Sequence, residues 1–402
     1  MKWEIYCLND LYEVHNGLSK GREYFGTGYP FLSFSTVFNN YFIPEEIEGL
    51  VQSTEKEQQS YSILRGDIFV TRTSETANEL GMSCVALKDY PQATFNGFCK
   101  RMRPKTDLVL PEFIGYYMRM PNFRNKFLAF STMTTRASLR NEDLLGIKIS
   151  LPSMEKQEKI AKMLLVFDSL IMNNKKQIKL LEEAAQRLYK EWFVDLCFPG
   201  HDDVEVVDGL PAGWEVNPIN VIAKFHSGYA FKSSDFNKEG IYKIITIKNV
   251  LDGSFDGDKT DKIIVIPDKL PKHCVLSDGD ILLSLTGNVG RVCLVYGENY
   301  LLNQRVAKIE SSYPAYIYLL LRSREMFNEM NNLSNGAAQQ NLSPIKTSNI
   351  KVVIPDEKIL ELFENLLSPV IKNIIQLNKH NVVLKEARDR LLPKVMNGEV
   401  EV

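Results

Sequence analysis

The longest regular pattern of apolar residues in the chain lies between Pro152 and Trp192. Apolar side chains recur there at alternating steps of four and three residues, and only one polar residue interrupts them. The series reads Ile160, Leu164, Phe167, Ile171, Asn174, Ile178, Leu181, Ala185, Leu188 and Trp192. This heptad spacing predicts one long helix with a buried stripe and a solvated outer face of Lys, Glu, Gln and Asn. At about 1.5 Å per residue, we expect the helix to be about 50–60 Å long.

The same pattern returns 203 residues further along the chain. The second series reads Phe363, Leu367, Val370, Ile374, Leu377, Asn381, Leu384, Arg388, Leu391 and Val395, and eight of these ten residues are apolar. The segments before the two series also correspond, because Leu151-Pro152 matches Ile354-Pro355. The shared spacing and shared ends favour two helices that pack together along these stripes over two unrelated amphipathic helices.

Two features of these helices leave alternatives open. Ser368-Pro369 lies inside the second helix and predicts a kink or a fresh start there, with Pro369 in a first turn. Asn174 and Asn381 occupy stripe positions that do not coincide under the 203-residue offset. Buried asparagines of this kind fix one helix register at a cost in stability. Alternatively, the helices separate at this level and both side chains are hydrated.

The segments outside the two helices form a second repeat of mixed α/β character. Strands are predicted at 29–34, 61–64 and 68–71, and a helix is predicted to start at Pro111. In the second half, Gly279-Asp280-Ile281 repeats Gly66-Asp67-Ile68, and similar echoes follow. The predicted boundaries are 1–151 for a first globular domain, 152–196 for the first long helix, 197–209 for a linker, 210–354 for a second globular domain and 355–402 for the second long helix.

The composition predicts a cellular compartment and reveals one segment with a strong local charge. The chain is 44% hydrophobic with a net charge of -2, and no apolar run reaches the roughly 20 residues that cross a bilayer. The six cysteines are scattered, and the five histidines are isolated in sequence, so we expect reduced core thiols, no metal site, no membrane contact and a cytoplasmic protein. Between residues 91 and 140, nine cations face only two acids, which predicts a phosphate-facing surface.

Four short motifs, in their order around two long helices, resemble the specificity subunits of type I restriction-modification enzymes. They are Leu210-Pro211-Ala212-Gly213-Trp214-Glu215, Gly279-Asp280-Ile281-Leu282-Leu283-Ser284-Leu285-Thr286-Gly287, Asn335-Gly336-Ala337-Ala338-Gln339-Gln340-Asn341-Leu342-Ser343 and the closing Arg390-Leu391-Leu392-Pro393-Lys394. The resemblance covers the whole chain. The first globular domain departs most from the pattern, as expected if the two domains read different DNA sequences.

The resemblance implies an α+β architecture and a set of partners. Two similar α/β target-recognition domains are separated by two long antiparallel helices, which form an intramolecular coiled coil with internal two-fold repeat. Each domain reads one half of a split target in double-stranded DNA. The helices set the gap between the halves and dock two methyltransferase subunits, and restriction and translocase subunits complete the complex.

The residues themselves offer little catalytic chemistry. No Asn-Pro-Pro-aromatic tetrapeptide and no phosphate loop ending in Gly-Lys-Ser/Thr occurs, and Phe25-Gly26-Thr27-Gly28 is better explained as a turn than as a methyl-donor loop. We therefore expect a non-catalytic subunit without a cofactor. S-adenosylmethionine, ATP and Mg²⁺ are expected only in the partner subunits.

Polar loops next to predicted strands are the candidates for DNA contact, since Asn and Gln suit adenine edges and Arg suits guanine. The alternative for each is a solvated turn. The candidates are Arg72, Thr73, Ser74, Arg136, Arg140, Thr286, Gly287, Asn288, Arg291, Gln304, Arg305, Gln339, Gln340 and Asn341. Two other functions compete with the specificity subunit: a stand-alone DNA-binding regulator held by the coiled coil, and an interaction scaffold unrelated to DNA. The absence of a basic helix-turn-helix pattern disfavours the former, and the cationic segment disfavours the latter.

Overall fold

A computed structural model of the chain describes residues 3–74, 79–129, 137–334 and 340–400, without the side chains of 73–74, 128–129 and 137–138. The chain forms two compact units. The first consists of Met1–Ser169 with Leu384–Val402, and the second of Leu170–Val383. Each unit therefore contains a globular part together with one segment of each long helix. Among the helices that the structure describes, none is long and apolar enough to cross a membrane.

The globular part of the first unit is built from short elements. In chain order they are β1 (Glu4–Cys7), α1 (Leu8–Leu11), β2 (Tyr12–Asn16), β3 (Phe25–Leu32), α2 (Phe34–Asn39), β4 (Leu50–Val51), α3 (Glu55–Ser60), β5 (Ile68–Thr71), β6 (Thr73–Ser74), β7 (Ser83–Val85), β8 (Thr94–Phe95), β9 (Cys99–Pro104), α4 (Pro111–Tyr117), α5 (Pro121–Ala129), β10 (Ala137–Ser138), α6 (Asn141–Leu145) and β11 (Lys148–Leu151). They form a four-stranded sheet of order β2-β9-β5-β7, a three-stranded sheet β4-β3-β8, and the pairs β1-β11 and β10-β6.

The second unit repeats the two larger sheets and the pair formed by the first and last strands. After the long helix α7 (Met154–Phe193) come β12 (Val206–Val207), β13 (Leu210–Pro211), β14 (Glu215–Pro218), β15 (Ala223–Ser227), β16 (Tyr242–Ile245), β17 (Asp261–Ile263), β18 (Ile281–Ser284), β19 (Val292–Leu294), β20 (Tyr300–Leu302), β21 (Val306–Ser311), α8 (Pro314–Leu321), α9 (Arg324–Ser334), α10 (Pro344–Ser348), β22 (Lys351–Ile354) and the long helix α11 (Glu357–Met396). The sheets are β15-β21-β18-β19, β17-β16-β20 and β14-β22, with an added pair β12-β13. The predicted α+β class with an internal repeat is confirmed.

Local sequence explains the repeated elements. The apolar runs β5 and β18 are buried along their whole length, as expected of central strands. A proline occupies the first turn of both α4 and α8, where its missing N–H costs nothing. The segment 61–64 was predicted as a strand, but Ile63 makes only an isolated bridge with Tyr90. The reason is that the Ser62 carbonyl accepts hydrogen bonds from the guanidinium groups of Arg101 and Arg103 (2.7 and 3.1 Å) instead of from a neighbouring strand.

The two long helices each contain 40 residues and pack along the predicted stripes. All twenty stripe side chains are buried or half-buried. The helices run antiparallel within each unit. In the second unit the ring centroids of Trp192 and Phe363 lie 5.4 Å apart, and in the first Asp168 contacts Arg388.

Two expectations about the second long helix are decided by the structure. There is no fresh start at Pro369, because α11 is continuous from Glu357 to Met396. An internal proline costs about 3 kcal/mol, and the buried side chains of Leu367 and Ile374 on either side offset that cost.

The asparagines of the stripe meet directly, because the amide of Asn174 donates to the side-chain oxygen of Asn381 at 3.0 Å. Both side chains thus find a polar partner inside the seam.

The outer face of the first helix is less solvated than the sequence predicts. In the second unit, the carboxylate of Glu182 accepts from the hydroxyl of Tyr318 (3.2 Å) and lies 3.3 Å from the guanidinium of Arg322. In the first unit, Asp168 receives the hydroxyl of Tyr116. Both tyrosines belong to the corresponding helices α4 and α8, so each unit attaches its globular part to the long helix through a tyrosine and a carboxylate.

The segment 197–209, predicted as a linker, packs with the second unit. Phe198 is buried and its ring lies 4.9 Å from that of Trp214. A short 3₁₀ turn, His201–Asp203, and the β12-β13 pair complete the segment. The buried ring of Phe198 and the β12-β13 backbone pairing explain why this stretch folds although it is rich in Pro, Gly and Asp.

Candidate nucleic-acid interface

In the first unit, two predicted loops meet at the end of β5. Thr73 pairs with Ser138 and Ser74 with Ala137 in the short β6-β10 ribbon. The backbone N–H of Leu139 donates to the carbonyl of Arg72 at 3.0 Å, just before this ribbon. Thr73 and Ser74 therefore lie beside the chain that leads to Arg140, whereas Arg136 is outside the described residues.

Two cations lie at this strand end with neutral partners. The guanidinium of Arg72 donates to the amide oxygen of Asn16 at 3.2 Å, and the ammonium of Lys100 donates to the amide oxygen of Asn141. Lys100 is buried, and its pKa is lowered from the ordinary lysine value by that burial and by the charge of Arg72. Within the part of the chain that the structure describes, neither cation has a carboxylate in salt-bridge range. The strand end therefore carries positive charge that an anion can neutralise.

Arg140 lies next to this cluster on the surface. Its side chain is exposed and stands 3.7 Å from the carboxylate of Asp143 within the same helical turn. An exposed pair at this distance binds weakly, so the guanidinium is available for another partner. Together, Arg72, Lys100 and Arg140 form what we call the first strand-end cluster.

The second unit brings the corresponding loops together at the end of β18. Thr286 forms a bridge with Asn341, and their side chains are hydrogen-bonded at 3.1 Å. The backbone N–H of Gly287 donates to the carbonyl of Gln340 at 3.2 Å, and that of Leu285 donates to the carbonyl of Arg305 at 3.1 Å. Gly287 has φ +73°, a conformation that favours glycine.

Most of the predicted residues in the second unit share this one surface. Thr286 is buried and Arg291 is half-buried, while the exposed candidates are Gly287, Asn288, Gln304, Arg305, Gln340 and Asn341. Gln339 is outside the described residues. The N–H of Ser284 donates to the carbonyl of Arg291 at 2.9 Å, so Arg291 follows the same strand end. We call this group the second strand-end cluster.

Four functional candidates were missed by sequence reasoning: Asn16, Phe98, Lys100 and Asn141. The sequence offered one signal for this region. Asn96 and Asn303 each stand three residues before a strand of the four-stranded sheets, β9 and β21, and 207 residues apart. Their shared place in the repeat marks a turn that both units need.

The cationic segment 91–140, predicted to be a phosphate-facing surface, is divided in the structure: Lys100 and Arg140 belong to the first strand-end cluster, whereas three other cations are used inside the fold. Arg103 makes two hydrogen bonds to the buried carboxylate of Asp67 (2.8 and 2.6 Å), and Arg101 is itself buried. Arg119 donates to the backbone carbonyls of Ser83, Val37 and Asn40, and burial lowers its pKa to about 10. These cations hold the fold together, and the sequence could not show it because their partners lie 36 to 82 residues away.

The histidines and cysteines differ in part from expectation. His226 and His273, expected to be isolated, stack at 4.8 Å, and His226 binds Glu310 at 2.8 Å. No group of three metal-ligating side chains occurs among the described residues. All six cysteines are free, but Cys197 is exposed and Cys7 half-buried, so only four lie in the core.

The comparisons with known proteins concern the family of the chain and its repeat. The family model for the type I restriction modification DNA specificity domain matches residues 1–183 and again residues 211–383. The chain belongs to this family. Its two matches correspond to the two structural repeats, and the resemblance seen in the motifs is confirmed.

Relatives extend the match over the full length. This chain is 29% identical over 415 residues to the Type I restriction enzyme MjaIX specificity subunit of Methanocaldococcus jannaschii. The match covers 100% of this chain and 94% of the relative. It is 23% identical to the HindI specificity subunit of Haemophilus influenzae, covering 99% of each. The crystal structure of a type I restriction-modification S subunit from M. genitalium has the same fold, with a TM-score of 0.56 at 17% identity over 98% of this chain and 96% of that one.

Proposed function

We propose that each globular part of this specificity subunit reads one half of a bipartite duplex DNA target through its strand-end cluster. The observation that carries the proposal is that one scaffold is built twice, and the same strand ends present different side chains in the two copies. Exposed amides and guanidiniums at these ends have the hydrogen-bonding groups that distinguish base edges in the major groove. The proposal includes all fourteen loop residues predicted above.

The charge of the first cluster supports contact with DNA. Arg72 and Lys100 are held by amide oxygens, so their charge is not cancelled by a described carboxylate. Phosphate oxygens or guanine acceptors supply the missing negative potential. A scaffold unrelated to DNA has no need to keep two cations in this state, because an unpaired buried charge is costly.

The long helices are proposed to set the gap between the two half-sites and to dock two methyltransferase subunits. Duplex DNA repeats the same groove face after about 10 base pairs, so we expect two short half-sites about one helical turn apart, centre to centre. Because the clusters differ, the half-sites should differ in sequence. Restriction and translocase subunits are proposed to complete the assembly. We propose that this subunit performs no catalysis.

Exchange of the first domain tests the division of labour. Residues 1–150 are replaced by the corresponding domain of another family member, and the target is mapped by methylation with the partner subunits present. We expect one half-site to change while the other half-site and the gap remain. A continuous target, or a change of both halves together, contradicts the proposal. Insertion of seven residues at the same level of both helices is the matched experiment, since it lengthens the helices by about 10 Å and should alter the gap or abolish methylation.

Calorimetry tests the assignment of cofactors. The subunit alone should bind neither S-adenosylmethionine nor ATP, whereas the assembled complex should bind both. Stoichiometric binding of S-adenosylmethionine to this chain alone contradicts a purely recognising role.

A further inference from the structure

A short turn with the same internal hydrogen bonds precedes the central strands β9 and β21. In the first unit, the side-chain oxygen of Asn96 accepts from the N–H of Phe98 at 2.7 Å, and the Asn96 carbonyl accepts from Cys99 at 2.9 Å. In the second unit, Asn303 does the same with Arg305 (3.4 Å) and Val306 (3.0 Å). The asparagine thus closes the turn on itself in both units.

A glycine packed against each turn fixes its position. A Cβ atom at Gly17 would lie 2.1 Å from the carbonyl oxygen of Asn96, and one at Gly228 would lie 2.1 Å from that of Asn303. Any other residue would push the turn away from the sheet. Both turns are therefore held at the same place on the scaffold by backbone contacts alone.

The residue two positions after the asparagine is attached directly to the strand end. The carbonyl of Phe98 accepts from the N–H of Arg72 at 3.0 Å, and the carbonyl of Arg305 accepts from the N–H of Leu285 at 3.1 Å. Phe98 and Arg305 therefore occupy equivalent positions, Phe98 beside the first strand-end cluster and Arg305 within the second. Phe98 is 58% exposed, although it is a large aromatic side chain beside polar and cationic neighbours.

We propose that Phe98 and Arg305 are equivalent specificity-determining residues, one for each half-site, and that the side chain at this position selects the base it meets. This inference rests on the proposed function. An exposed phenyl ring suits the methyl group of a thymine, whereas a guanidinium suits the O6 and N7 acceptors of a guanine. We therefore assign a thymine contact to the first half-site and a guanine contact to the second.

The chemistry of the neighbourhood favours a base edge over a protein partner for Phe98. The ring is joined through the backbone to Arg72, and the cations at 72 and 100 lack a described carboxylate partner. Such a surface attracts a polyanion. An apolar group within it can contact the polyanion at short range without desolvating a charge of its own. A protein partner with an apolar surface would instead have to desolvate the neighbouring cations.

Substitutions at position 98 test the assignment in the complete complex with its methyltransferase partners. The readout is methylation of a library in which each target position is randomised. We expect Phe98→Ala to lose discrimination at one position of the first half-site by about ten-fold. Phe98→Leu should keep the thymine preference, and Phe98→Arg should shift it toward guanine. Arg305→Phe should produce the opposite shift in the second half-site only.

Ile5→Arg provides the matched control, because Ile5 is an apolar residue with 71% exposure on β1, outside the cluster. We expect it to leave both half-sites unchanged. If Phe98→Ala reads every position as strictly as the wild type, the inference is overturned while the bipartite function stands. If the wild-type complex methylates no bipartite target, the proposed function itself fails. Size-exclusion chromatography of the complex separates a change of specificity from loss of the folded subunit. Phe98→Ala still decides the case if Phe98→Arg does not assemble.

Discussion

At the end of the first four-stranded sheet, Arg72 follows β5 and Lys100 lies in β9, at positions that Leu285 and Ala307 occupy in the second unit. The equivalence follows from register, since Lys100 lies opposite Asn16 and Val70, and Ala307 lies opposite Ser227 and Leu283. The strand end is thus cationic in one unit and apolar in the other. In the second unit, the charge is moved to the exposed turn, at Arg305.

This difference shows how the repeat separates stability from recognition. The strand ends are held by the same kind of backbone contact in both units. These contacts include the hydrogen bonds next to β6 in the first unit and next to Thr286 in the second. Only the side chains differ, and with them the position and the depth of the local positive charge. Under the proposed function, two half-sites of different sequence are read without two different folds.

The largest expected effect comes from placing a lysine in the second unit, at the position that corresponds to Lys100 of the first. Ala307 is fully buried, and the residue opposite it on the neighbouring strand is the uncharged Ser227. Ala307→Lys should therefore destabilise the subunit by about 3–5 kcal/mol, the range for an uncompensated buried charge. Urea unfolding measures this, with Ala230→Lys at an exposed position as the control. Equal unfolding midpoints for the two variants would show that the strand ends are less different than their side chains imply.

The polar layers of the two helix segments offer a second contrast. The seam of the first unit contains the charged pair Asp168–Arg388, whereas that of the second contains the neutral pair Asn174–Asn381. Asn381→Leu leaves a partly buried amide without its partner and should cost about 1–3 kcal/mol.

The double variant Asn174→Leu with Asn381→Leu should recover most of that loss, since two apolar groups can replace a matched polar pair. Chemical denaturation of the single and double variants gives the coupling energy. Additive effects would mean that the 3.0 Å hydrogen bond contributes nothing to the pairing of these helices.

Lys100, the buried cation of the first unit, should lower the stability of the fold and raise its affinity for DNA. Because burial lowers the pKa of Lys100 below its unfolded value, the charged form costs folding free energy at neutral pH, and that cost shrinks as the pH rises from the folded pKa to the unfolded pKa. Lys100→Gln should therefore raise the melting temperature at pH 7, with a smaller gain at alkaline pH. It should also weaken DNA binding, and the slope of log Kd against log salt should fall by about one. A variant that is both less stable and equally salt-dependent would assign Lys100 a purely structural role.

The smallest effect concerns the cysteines, which should be equally protected in the two sheets. Burial raises the pKa of Cys84 and of Cys99 to about 12, and it raises the pKa of Cys293 as well. At pH 8, a thiol reagent should modify exposed Cys197 first, and the Cys197→Ser variant should lack this rapid phase. Rapid modification of a sheet cysteine in only one unit would reveal unequal local opening.

The sequence was sufficient for the parts of the molecule that depend on periodicity. The heptad stripes, the 203-residue repeat and the first-turn prolines each follow from local spacing, and they define the two long helices and the duplicated domains. The clusters themselves were only partly predictable. Which cation is free depends on partners far along the chain, as with Arg103 and Asp67, and on burial that composition does not encode. For the same reason Glu182, expected on a solvated face, pairs with Arg322.

The asparagine turns have a consequence for the divergence of such proteins. The turn before each central strand is maintained by one asparagine side chain, the backbone and one glycine, so the side chains of Phe98, Gln304 and Arg305 are not needed to build it. Substitutions there should be close to neutral for folding while they alter what the surface can contact. A lineage can thus explore new specificities by single codon changes at these positions, without a compensating change elsewhere in the gene.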